Sequence, residues 1–120
     1  MSDELITAAQ RRVCERFGAS PFPALPGYKV GVARNVAGGT LPINGLRHPP
    51  DPGTTGWFIW AGGEPSTDDD FFEPVHLEHL IELCPTALPY LALPPGWRFQ
   101  IAPAHEDVWP DATLLILSSN

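Results

Sequence analysis

Trp57-Phe58-Ile59-Trp60 is apolar at every position, with Gly56 before it and Gly62-Gly63 just after. Successive side chains of a strand point to opposite faces, so Trp57 and Ile59 line one face and Phe58 and Trp60 the other. A strand apolar on both faces needs cover on both, which places it at the centre of a sheet with a helix over one face. The rest of the chain limits how much helix there can be. Fifteen prolines and 11 glycines among 120 residues divide it into turns and short elements, and a chain of this length builds one core, not two. The reading is a single α+β domain over residues 1–120, two helices packed on a largely antiparallel sheet of four or five strands.

Spacing places the elements. Ile6, Ala9, Val13 and Phe17 recur at helical intervals, predicting an amphipathic helix over 3–17 with Ser2 as N-cap and Gly18 just past its end. A second helix is predicted from Pro74, with Asp70 or Glu73 near its start, Leu77, Leu80, Ile81 and Cys84 on one face, and Glu78, His79 and Glu82 opposite. Residues 28–34 alternate as a strand, and 97–101 do so strictly, with Trp97, Phe99 and Ile101 inward. Asn44-Gly45 fits a tight hairpin turn. Glu64 to Glu73 and Pro103 to Pro110 read as loops, and Ala112 to Leu117 as either a last strand or the hydrophobic close of the chain.

Charge is unevenly spread. The chain carries −7 overall. Residues 1–60 hold six basic and four acidic side chains, whereas residues 61–120 hold ten acidic ones against Arg98 alone, hence −9. Such a field repels nucleic acid and draws in basic partners over about a Debye length, ~8 Å at physiological salt. Its simpler role is solubility. No apolar run approaches the ~20 residues of a membrane span, and the N-terminus Met-Ser-Asp-Glu has no signal-peptide pattern. With two cysteines far apart, Cys14 and Cys84, and no Cys-x-x-Cys pair, the expected location is the cytosol with both thiols reduced.

Catalytic chemistry finds little support. His76 and His79 stand three apart, near enough for one metal ion, which frames one alternative: a small metal-dependent hydrolase or metal-binding protein. A zinc site needs three or four ligands, and no His-Glu-x-x-His motif or cysteine pair completes the set, so no metal is assigned and His79 beside Glu82 on the helix surface is the simpler reading. Asp68-Asp69-Asp70 lacks the turning glycine of a calcium loop. There is no Gly-x-Ser-x-Gly elbow, dinucleotide fingerprint or Walker loop, and no cofactor is implied. A second alternative is a housekeeping domain with a small-molecule pocket near Trp57 and Trp60, since indole N–H groups seek partners. The candidate partner-binding residues are Asp68, Asp69, Asp70, Glu73, Glu106, Asp107 and Trp109, the last an aromatic anchor rimmed by acids.

Several stretches, taken as a series, resemble one family. They are residues 55–62 (TGWFIWAG), Asp69-Asp70-Phe71-Phe72, residues 74–80 (PVHLEHL), residues 93–99 (LPPGWRF) and Glu106-Asp107-Val108-Trp109. Together, over roughly residues 40–115, they resemble the bacterial immunity protein thirty-three-like family. The resemblance implies a small cytosolic antidote that binds and neutralises a cognate toxin delivered between competing bacteria, and it implies no catalytic residues. Its toxin partner could be a nuclease, whose basic substrate-binding surface an acidic antidote can occupy, gaining speed of association above all. That expectation meets the acidic second half of the chain.

Overall fold

The computed structural model describes residues 7–68 and 70–116. Six strands form one sheet: β1 (Lys29–Ala33), β2 (Ile43–Arg47), β3 (Thr54–Ala61), β4 (Phe72–His76), β5 (Trp97–Ala102) and β6 (His105–Pro110). Their order is β4-β1-β3-β2-β5-β6. The sheet is mixed: β1 and β3 run parallel, and the other four neighbours are antiparallel. The aromatic strand β3 lies third of six, at the centre as its two apolar faces require.

Helices α1 (Ala8–Phe17) and α2 (Leu77–Leu83), with a 3-10 turn over Pro85–Tyr90, lie against one face of the sheet. That face presents Val30 and Val32, Ile43, Trp57 and Ile59, and Phe99 and Ile101, all buried. The helix layer is tied down by polar bonds as well. Trp57 Nε1 donates to the Leu91 carbonyl at 3.0 Å, and Gln10 Nε2 to the Leu88 carbonyl at 2.9 Å. Gly45 is in this layer because the Phe99 ring lies flat on it: a Cβ there would sit 2.3 Å from the ring.

Arg47, on β2, points into the same core and is 1% exposed. Its Nε donates to the Thr55 carbonyl at 2.8 Å, Nη1 to those of Phe22 (2.7 Å), Leu93 (2.9 Å) and Leu91 (3.3 Å), and Nη2 to that of Pro23 (3.4 Å). The Phe22 and Trp57 rings flank the guanidinium at 4.9 and 5.5 Å. Burial lowers its pKa to about 10, so it is still a cation at neutral pH. A buried cation must have its donors filled; here carbonyls from three separate stretches of chain fill them.

Several expectations are corrected. The sheet has six strands, not four or five, and one parallel pair. The first helix begins at Ala8, capped by Thr7 in a reciprocal capping box with Gln10; Thr7 is extended, so the helix does not run continuously from residue 3, and Ser2 lies outside the described residues. Asn44-Gly45 is the interior of β2, not a turn, because Asn44 and Gly45 pair with both β3 and β5. Pro74 does not start a helix. It sits in edge strand β4 opposite Gly31, where an outward-facing nitrogen loses no ladder bond, and α2 begins at Leu77. Within α2, Leu80 is buried but Ile81 is 54% exposed, so the predicted apolar face is only partly covered. Residues 105–110 are a strand, not a loop, since Ala102 pairs with His105 across the two-residue turn Pro103-Ala104. Ala112–Leu115 is a 3-10 turn, not a strand, and Leu117 lies outside the described residues.

Candidate functional site

The sheet's other face carries no α-helix among the described residues; only the 3-10 turn Ala112–Leu115 reaches it at one end, where His48 Nδ1 stands 3.2 Å from the Leu114 carbonyl. Strand alternation and register place on it Phe72 of β4, Gly31 of β1, Phe58 and Trp60 of β3, Asn44 and Leu46 of β2, Arg98 and Gln100 of β5, and Asp107 and Trp109 of β6. The rings cover one another. Phe58 meets Phe72 at 5.2 Å between centroids and His48 at 5.8 Å, while Trp60 meets Phe72 at 6.2 Å, all edge-on. Phe58 can lie flat because β1 offers Gly31 beneath it; a Cβ there would sit 2.7 Å from the ring. Phe58, Phe72, Leu46 and Trp109 are half-buried, whereas Trp60 is buried.

Trp60 owes its burial to the loop after β3. Its Nε1 donates to the Gly63 carbonyl at 2.7 Å, and Asn44 Nδ2 donates to the Gly62 carbonyl at 2.9 Å. A polar row then crosses the strands: Gln100 Nε2 donates to Asn44 Oδ1 at 3.0 Å, and His105 Nε2 stands 2.9 Å from Gln100 Oε1. Arg98 lies over the Trp109 ring at 5.7 Å and pairs with Asp111 at 3.1 Å. Two depressions open on this face, about 470 Å³ beside Trp60, Arg98 and Trp109 and about 440 Å³ beside His48, Phe58 and Phe72. Trp57 and Trp60 therefore do not share a pocket floor: Trp57, 1% exposed, turns its indole into the helix side and Trp60 to this one.

The acidic candidates fall into two groups. Asp68, Asp70 and Glu73 lie in or beside edge strand β4, where Arg34 holds Glu73 at 2.9 Å and reaches Asp70 at 4.0 Å; Asp69 lies outside the described residues. Glu106, Asp107 and Trp109 lie on β6, at the opposite edge. Five strand spacings separate the edges, about 24 Å at 4.8 Å each, so one continuous acidic rim is not formed. Nor is Glu106 free. Arg16 grips its carboxylate at 2.8 and 2.9 Å and Tyr90 Oη donates to it at 2.5 Å. The Arg16 and Tyr90 hydrogen bonds hold its pKa down at about 2, while burial and then the bond to Glu106 push Tyr90 up to about 12. Asp107 and Trp109 instead face the aromatic side.

His76 and His79 have ring centroids 5.9 Å apart. Among the described residues no three His, Cys, Asp or Glu side chains gather as a metal set. Gly27 N–H, donating at 2.9 Å, foremost lowers the pKa of Glu78, followed by a hydrogen bond from its own backbone. Both thiols are buried, and burial foremost raises the pKa of Cys14. No helix among the described residues is long and apolar enough to cross a membrane.

Sequence reasoning missed Phe58, Phe72, Arg98 and Gln100 as surface residues, and Asn44 as the buried side chain that bonds Gln100 on the same face. The signal was present for β5, where Arg98 and Gln100 alternate with the inward Trp97, Phe99 and Ile101; for the aromatics, apolarity alone could not tell the covered face from the open one.

Helices on one side of a six-stranded mixed sheet and a half-buried aromatic face on the other define a small two-layer α+β domain. The chain belongs to the Imm33-like domain family, an immunity-protein family, which it matches over residues 9–111. That match takes in nearly all of α1, beyond the 40–115 region whose motifs carry the resemblance. No curated protein and no solved structure matches the chain significantly.

Proposed function

We propose that the protein is a cytosolic immunity protein that binds and neutralises a cognate toxin, acting as a binding module and not as an enzyme. The observation that carries this reading is membership of the Imm33-like domain family over nearly the whole folded region. The net −9 of residues 61–120 supports it, because a basic toxin surface, such as that of a nuclease, is attracted to carboxylates during encounter. The partner-binding residues are Asp68, Asp70 and Glu73 at one edge of the sheet and Asp107 and Trp109 at the other, together with Asp69, which lies outside the described residues. Glu106, already gripped by Arg16 and Tyr90, positions β6 against α1.

The test is titration of the purified protein with the toxin domain encoded by the adjacent gene, read by calorimetry, together with rescue of cells expressing that toxin. Saturable binding and rescue are expected. A toxin domain that neither binds nor loses its toxicity would remove the immunity reading.

A further inference from the structure

The open sheet face has the composition of a binding centre. Interfaces concentrate their energy in a few aromatic and arginine side chains surrounded by contacts that exclude water. Trp109 stacked with Arg98, and Phe58 against Phe72, give this face those residue types, on rigid strands and not on loops. The helix layer offers a rival, a groove of about 540 Å³ that includes Ala9, Leu77, Ile81 and Leu88. It is aliphatic throughout its apolar part, and nothing in it distinguishes one occupant from another.

Charge chooses the occupant of the open face. The carboxylates around it that have no cationic partner among the described residues include Glu64 beside Trp60, Asp107 beside Trp109, Asp51 in the depression beside His48, and Asp68 in the loop leading to Phe71. Arg98 is neutralised by Asp111, which leaves Lys29, at the β1 end, as the face's one unpaired cation among the described residues. A second copy of the chain would set carboxylate against carboxylate. A partner with an apolar centre and a basic rim meets no such penalty.

We infer that the toxin docks flat on the open face of the sheet, with Trp109 and Phe72 as anchors and its basic groups directed to Glu64, Asp68 and Asp107. This rests on the immunity reading and specifies which surface performs it. It also explains why acidic groups on opposite edges can serve one partner: they flank a single apolar centre.

The experiment combines calorimetry with hydroxyl-radical footprinting, using the toxin domain encoded by the adjacent gene as the probe. Trp109→Ala is expected to raise Kd about thirtyfold, the effect of a hot-spot residue, and Phe72→Ala about tenfold, while Ile81→Ala on the helix side changes it less than twofold. Circular dichroism melts establish that each variant is folded. Footprinting of the unmodified complex needs no substitution: protection of Phe58, Phe72 and Trp109 is expected, with Ile81 and Leu88 unchanged. Binding accompanied by protection of Ile81 and Leu88 alone overturns the inference and leaves the immunity reading standing. Protection of Trp109 in the toxin-free protein as its concentration rises assigns the face to self-association and overturns it too. Failure of the wild-type chain to bind removes the immunity reading and this inference with it.

Discussion

At the scale of single residues, two charged groups are held in opposite ways. Glu106 is a surface carboxylate fixed by Arg16 and Tyr90. Its folded pKa, about 2, lies below that of an unfolded glutamate, roughly 4.3. The stability it contributes is thus complete above pH 4.3 and is lost as pH falls toward 2. Tyr90 has the opposite sign: its folded pKa is about 12 against about 10 when unfolded, so its contribution is present below pH 10 and is lost as pH rises to 12. Melting temperature measured against pH should therefore fall at both extremes, with Glu106→Gln flattening the acid limb and Tyr90→Phe the alkaline one. Arg47 is the buried counterpart. Arg47→Leu leaves several buried carbonyls without a donor and should cost roughly 3–5 kcal/mol in a urea titration. Arg47→Lys should recover only part of this, because an ammonium cannot reproduce the planar fork.

At the scale of elements, the least conspicuous strand constrains the sheet most tightly. In β2, Gly45 admits the Phe99 ring across the pair with β5. Gly45→Ala should destabilise the protein by roughly 1–3 kcal/mol through overpacking, and adding Phe99→Leu should return part of the loss, so a double-mutant cycle by chemical denaturation will show coupling between the two positions. The same strand shows where sequence reading fails. Asn-Gly carries a strong turn signal, yet here glycine serves a close ring contact and asparagine bonds a neighbouring loop. Pro74 misleads in a similar way, since a proline tolerated at a helix start is equally tolerated on an edge strand. Prolines at 103 and 110 suggested a loop because they bound β6 without interrupting it. By contrast, β3 and β5 were legible, because continuous apolarity and strict alternation report directly on which faces are covered.

At the scale of the whole molecule, fold class was legible and the arrangement of charge was not. One core, few helices and a central aromatic strand follow from length, breakers and apolar runs. Strand order does not, and strand order is what sends the acids near β4 and those on β6 to opposite edges. The separation, about 24 Å, is some three Debye lengths at physiological salt, so the two groups should act independently. Asp68→Asn with Asp70→Asn at one edge, and Asp107→Asn at the other, should each slow toxin association severalfold at low ionic strength. The effects should multiply when combined, and vanish near 0.5 M salt; stopped-flow fluorescence from the tryptophans reads all of them. A last consequence concerns evolution. Arg47 binds the chain together through carbonyls at residues 22–23, 55 and 91–93, and every amino acid supplies a carbonyl. Related sequences are therefore free to drift at Pro23, Thr55, Leu91 and Leu93 as far as this bond network is concerned, while the arginine itself stays fixed. Covariation will be blind to a contact that joins three separate stretches of the chain.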